Sequence, residues 1–182
     1  MALTLITGPV RSGKSRLALQ LARDSGKAVT FVATAALHPE DAEWNARIAR
    51  HRSERPAEWA TVESACEPRC ELAQLPRAYG ERDLLLVDSL GTWLADALER
   101  ATPEEAEEQG RAIVAAFARA RCSAILVSEE TGWGIVPEYA SARAFRDVLG
   151  RLNAGFAHAA DAAYLVVSGY ALDLKRGIPI QG

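Results

Sequence analysis

The eight residues Gly8-Pro9-Val10-Arg11-Ser12-Gly13-Lys14-Ser15 fit G-x-x-x-x-G-K-[ST] at every fixed position, the spacing of a phosphate-binding loop. The chemistry needs those residue types. Two glycines let backbone N–H groups turn inward around a polyphosphate, and the helix that follows offers its positive N-terminus. Lys14 then reaches the terminal phosphates, and the Ser15 hydroxyl is placed for Mg²⁺. His51 is a second candidate. Arg47, His51 and Arg55 recur every four residues, with Arg50 and Arg52 beside them, so on a helix one imidazole shares its face with guanidinium groups. A neutral imidazole nitrogen is a competent nucleophile toward phosphorus near neutral pH, and the arginines would favour the neutral form and grip phosphate oxygens bidentately. The same spacing also describes a solvated basic face with an incidental histidine. Asp88 closes the apolar run Leu84-Leu85-Leu86-Val87, where a Walker B carboxylate holds the metal ion opposite Ser15. Glu63 is either an acceptor for guanine N1–H and N2–H₂ or a surface acid.

These groups require elements to hold them. Ala2 to Thr7 reads as a short buried strand, Lys14 to Arg23 as a helix, and Ala28 to Ala33 as a second, β-branched strand, which together make a βαβ unit. Helical spacing runs from Pro39 to Glu54, where Pro56 stops it, and Trp59 to Glu63 is a short strand. Asp83 to Asp88 and Ser123 to Ser128 carry continuous apolar runs between their polar ends, as strands buried on both faces do. Thr102-Pro103-Glu104-Glu105 starts a helix that reaches Arg121, its acids forming a solvated face. After the loop Glu129 to Pro137, a long helix carries Phe145, Val148, Leu149, Leu152 and Phe156 as a core stripe. Tyr164 to Ser168 and Tyr170 to Leu174 are final strands turned at Gly169, and Pro179 and Gly182 lie in a loose tail. The alternation implies a P-loop NTPase-like, doubly wound α/β fold. Its sheet is mostly parallel with an antiparallel C-terminal strand, and its site lies at the strands' carboxyl ends.

At 182 residues, 49% hydrophobic and 25% charged, the chain has the size and composition of one globular domain spanning residues 1–182. A net charge of −3 and pI near 5.7 give no basic footprint for nucleic acid. Cys66, Cys70 and Cys122 are odd in number and lack paired spacing, so reduced thiols are expected instead of disulfides or a zinc site. No run approaches 18 apolar residues and the N-terminal apolar stretch is too short for a signal peptide, so no membrane insertion and a cytoplasmic location are expected. His38 and His158 read as structural or surface residues. Trp44, Trp59 and Trp93 read as packing residues, while Trp133, between Gly132 and Gly134, is mobile or ligand-facing.

The chain also resembles, end to end, the bifunctional adenosylcobinamide kinase/adenosylcobinamide-phosphate guanylyltransferases of cobalamin biosynthesis. The resemblance lies in TGPVRSGKS at the N-terminus, FVATA at Phe31 to Ala35, ARIARHRSERP at Ala46 to Pro56, WATVE at Trp59 to Glu63 and LLLVDSLGTWL at Leu84 to Leu94. It continues in ETGWGIVP at Glu130 to Pro137, RAFRDVLGRLN at Arg143 to Asn153 and ADAAYLVVSG at Ala160 to Gly169. The resemblance implies two reactions: ATP or GTP phosphorylates the aminopropanol arm of adenosylcobinamide, and GMP from GTP then passes through a histidine to that phosphate, releasing pyrophosphate. By the family's pattern the histidine is His51 and Lys14 serves the phosphoryl transfer. The residues implied to contact nucleotide are Gly8, Pro9, Val10, Arg11, Ser12, Gly13, Lys14, Ser15, Ala33, Thr34, Ala35, Arg52, Ser53, Glu54, Arg55, Glu63 and Asp88, with Ser15 and Asp88 on Mg²⁺. It also implies a homotrimer.

Overall fold

A computed structural model describes residues 1–36, 40–63 and 71–180. His38, Pro39, Cys66, Cys70 and Gly182 therefore lie outside the described residues. In chain order the elements are β1 (Leu3–Gly8), α1 (Lys14–Asp24), β2 (Ala28–Ala33), α2 (Ala42–Ser53), β3 (Ala60–Glu63), β4 (Asp83–Asp88) and α3 (Leu90–Arg100). They continue with α4 (Pro103–Ala118), β5 (Ser123–Glu129), α5 (Ala140–Ala159), β6 (Ala162–Val167) and β7 (Tyr170–Asp173). All seven strands form one sheet in the order β3-β2-β4-β5-β1-β6-β7. Every pairing is parallel except β6 with β7. The doubly wound expectation holds, including its antiparallel last strand.

The central strands β1, β4 and β5 are buried along nearly their whole length, and apolar through most of it, because both faces are covered. One face packs on α1, where Ala18 and Ala22 meet Ile6, Phe31, Leu86 and Val127. The other packs under α3, α4 and α5, with Leu94, Ile113, Leu149 and Phe156 in that core. Of the expected α5 stripe, Val148, Leu149, Leu152 and Phe156 are buried, and Phe145 packs half-buried against them. The acids of α4 do face solvent, and Thr102 and Glu105 cap its start reciprocally. The β6–β7 turn places Ser168 at φ 51 and Gly169 at φ 82, the two positive values of a type I′ hairpin.

Two differences from the sequence expectations matter for the site. Helix α3 was not anticipated. Leu90, Leu94 and Ala97 do repeat at helical spacing, but Gly91 interrupts the signal, and the capping box pairs Ser89 with Thr92 where a Glu or Gln is usual. Helix α2 begins at Ala42, after Asp41 accepts a hydrogen bond from Trp44 N, and it contains no buried residue.

Candidate active site

Position in the sheet explains the site. The carboxyl ends of β1, β4 and β5 lie side by side, with Gly8 in register with Glu129 and Asp88 with Val127. The phosphate loop therefore leaves the sheet beside two strand-terminal carboxylates. Within the loop Arg11 has φ 57 and Gly13 φ 102, left-handed values that cost a non-glycine residue about 1 kcal/mol and turn successive N–H groups toward one point. Lys14 is only 8% exposed, and its Nζ donates to the Pro9 carbonyl at 3.3 Å. The loop is tied to the far end of the chain, since Gly169 N donates to Ser12 O at 3.1 Å.

A second layer braces these strand ends. Thr7 Oγ1 donates to Glu130 Oε1 at 2.8 Å. Asn153 Nδ2 donates to Glu129 O at 3.0 Å and to the Glu130 carboxylate, and its Oδ1 accepts from Ser128 Oγ. Thr34 Oγ1 donates to Ser89 O and accepts from Ser89 N, both at 2.7 Å. The Glu129 carboxylate accepts from Gly91 N at 3.1 Å. A Cβ on Gly91 would stand 2.1 Å from Glu129 Oε2, so any side chain there would have to displace the Glu129 carboxylate.

Two cavities open onto this ground. The larger, about 940 Å³, lies between the phosphate loop with α1 on one side and α2 on the other. The smaller, about 80 Å³, lies between α2 and the ends of β2, β4 and β5, where Phe31, Ala33, Ala35, Arg55, Asp88 and Glu129 face one another. His51 lines both. Burial pushes the Asp88 carboxyl up from its usual range, while a hydrogen bond from Ser15 and the charges of His51, Lys14 and Arg55 oppose that shift. Burial likewise pushes Glu129 up, against Ser89, Lys14 and Gly91 N, with Asp88 adding to the rise. Desolvation lowers Arg55, whose guanidinium lies 3.7 Å over the Phe31 ring. Ser12 Oγ and Arg55 Nε are buried without a partner among the described residues, unmet donors of the kind that a phosphate or a base satisfies.

The expected residues are thus partly assembled. Arg11 to Ser15, His51 and Glu54 line the larger cavity, and Ala33, Ala35, His51, Arg55 and Asp88 the smaller. Others lie outside both linings. The Thr34 hydroxyl is committed to Ser89, Ser53 Oγ donates to Arg50 O, and Arg52 pairs with Glu63 at 3.6 Å on the surface. Sequence reasoning missed Trp44, Ser89 and Glu129. Trp44 precedes His51 by two turns on the same face, and Glu129 ends an apolar strand as Asp88 does. His158 is exposed, as expected, with its Nδ1 at the Ala154 carbonyl, and Trp133 is 60% exposed. Cys122 is a buried free thiol. Among the described residues, no cluster of three His, Cys, Asp or Glu side chains offers a complete metal cage, and no helix is long and apolar enough to cross a membrane.

Solved structures similar to this one include the RadB recombinase, with a TM-score of 0.50 at 19% identity over 90% of this chain and 73% of that one. Another is the ATP synthase subunit NeqB from Nanoarcheaum equitans, with a TM-score of 0.54 at 14% identity over 90% and 45%. These likenesses concern the fold. Sequence relatives are nearer. The bifunctional adenosylcobalamin biosynthesis protein CobP of Pseudomonas aeruginosa is 39% identical over 94% of this chain and 96% of its own. The proteins of that description named CobU are 36% identical in Salmonella typhimurium and 38% in Escherichia coli, each over 94% of this chain and 98% of the relative. The CobU family model, cobinamide kinase / cobinamide phosphate guanyltransferase, matches residues 4–174. With its phosphate loop, strand-end carboxylates and arginine-flanked histidine in one place, the chain belongs to the cobinamide kinase/cobinamide phosphate guanyltransferase family.

Proposed function

We propose that this chain phosphorylates adenosylcobinamide from ATP or GTP, and then guanylylates the product by way of His51. The observation that carries this reading is the position of His51, which faces the phosphate loop on one side and the Asp88 and Arg55 pocket on the other.

In the first reaction the alcohol oxygen of the aminopropanol arm displaces nucleoside diphosphate from the γ-phosphorus. The loop's N–H groups and Lys14 stabilise the charge that develops on the transferred group. In the second, a neutral His51 nitrogen attacks the α-phosphorus of GTP. An N–P bond forms, the α–β bridging P–O bond breaks, and pyrophosphate leaves with the electron pair. A phosphate oxygen of the phosphorylated acceptor then attacks the same phosphorus, and the N–P bond breaks to return the imidazole and give adenosylcobinamide-GDP. Asp88 and Ser15 meet in a hydrogen bond, and their hard oxygens suit Mg²⁺ completed by phosphates and water. Bound there, Mg²⁺ would neutralise phosphate charge. Arg55 and Glu54 reach the nucleotide directly in this reading. Arg52, Ser53, Glu63 and Thr34 act from its margin, with Glu63 free to take guanine only if Arg52 releases it.

That all strands share one sheet supports residues 1–182 working as a single unit, which the family resemblance extends to a cytoplasmic homotrimer. Incubation with α-labelled GTP tests the histidine step. Acid-labile label retained by the wild type and absent from His51→Ala is the expected result. No retained label, with phosphorylation intact, would leave a simple kinase in which His51 only binds substrate.

A further inference from the structure

The larger cavity holds more positive charge than a phosphate loop needs. Its cations come from three places: Arg11 and Lys14 in the loop, Arg16 and Arg23 on α1, Arg47 and Arg50 on α2. Only three acids line the same space. Among the described residues Arg11, Arg16, Arg47 and Arg50 make no ion pair. Arg23 donates only to the Glu54 backbone carbonyl, and Arg47 lies 6.0 Å over the Trp44 ring. Cations that outnumber the acids along a concave wall create a potential that draws an anion.

A triphosphate held by the loop does not account for them all. The loop's N–H groups and the helix dipole act within the first turn of α1, whereas Arg23 stands about 13 Å further along the helix than Lys14. Arg50 precedes His51 directly, on the opposite wall. The family's second reaction has an acceptor that is itself a phosphate. At neutral pH a phosphomonoester carries a charge of about −1.5 to −2, and once pyrophosphate has left it must come up to the guanylylated histidine, whose helix carries Arg50 on the cavity wall.

We propose that Arg16, Arg23 and Arg50 form a second anion site, separate from the phosphate loop, that binds the phosphomonoester of the phosphorylated acceptor and presents its oxygen to the phosphorus on His51. The site needs no covalent step of its own. The placement of the acceptor rests on the His51 reading; the anion site itself is measurable without it.

The test separates the half-reactions in Arg16→Gln, Arg50→Gln and the double variant. Loss of a charge-assisted hydrogen bond predicts that KM for cobinamide phosphate in guanylyl transfer rises about tenfold or more per substitution. KM for GTP in pyrophosphate release, the phosphorylation of cobinamide and the melting temperature should stay at wild-type values. Arg50→Lys should recover part of the loss. A parallel rise in KM for GTP would assign these arginines to the nucleotide and overturn the proposal, as would an unmoved KM for cobinamide phosphate. If the wild type retains no GMP, the His51 reading fails on its own. Equilibrium dialysis of cobinamide phosphate, with a non-hydrolysable GTP analogue in the loop, then decides this one: weaker binding by the double variant supports it, and equal binding overturns it.

Discussion

The strand ends and helix α2 meet across the same cavities, yet they are built in opposite ways. The ground formed by β1, β4 and β5 is buried and cross-braced, with Lys14 held within its own loop and Glu129 and Asn153 held by neighbours from another element. Helix α2 has no fully buried residue, and among the described residues no other element packs closely along it. Slender ties hold it: Trp44 Nε1 to Ala36 O at 2.8 Å, Arg23 to Glu54 O, the Arg52–Glu63 pair and, just past its end, Arg55 on Phe31. Phosphoryl transfer needs donors fixed before the reaction begins. A nucleophile that must receive a group from one substrate and surrender it to another is better served by a support that gives way. With His51 as the proposed nucleophile, the two regions would divide those demands between them.

The contrast can be broken or sharpened by substitution. Lys14→Ala should have the largest effect, lowering kcat for phosphorylation by about 10²–10³-fold or more, since it removes a fixed charge from the transition state; nucleoside diphosphate release measures it. Near-normal phosphorylation would show that the loop is not the rigid partner. Leu149→Ala, in the α5 core, should cost about 2–5 kcal/mol in denaturant unfolding. Ile48→Ala, the comparable deletion on α2, should cost under about 1 kcal/mol because Ile48 is half-buried on a helix that packs on little. Equal losses at the two sites would refute the contrast. Gly91→Ala should cost about 1–3 kcal/mol by driving a methyl group into Glu129, with a matching fall in thermal stability.

The smallest effect is a slope. Burial raises the Glu129 carboxyl above its unfolded value, so between the two values the folded state binds more protons and stability falls as pH rises. Without nucleotide, Glu129→Gln should resemble the wild type below about pH 4, near the ordinary carboxylate value, and gain relative stability as pH increases. Melting curves across that range would show it, and a constant difference would count against the buried carboxylate.

Much of the rigid region was legible because double burial leaves a mark in sequence: apolar runs that end in Asp or begin a glycine loop. The loose region was legible only as spacing. The four-residue repeat brought Arg47, His51 and Arg55 to one cavity, although α2 ends at Ser53 and Arg55 follows it, yet nothing in it separated a reactive imidazole from a solvated face, since both are polar. Glu129 and Gly91 stayed hidden for a different reason. Their relation is a contact between elements remote in sequence, and each alone is an ordinary strand end or helix start. Helix α3 was obscured by Gly91, which lets the Glu129 carboxylate approach its first turn.

The bond from Gly169 N to Ser12 O joins the chain's closing hairpin to its opening turn. Clipping the protein ahead of that hairpin, or straining it with a fused tag, is therefore an operation on nucleotide affinity, however remote the cut looks on a linear map.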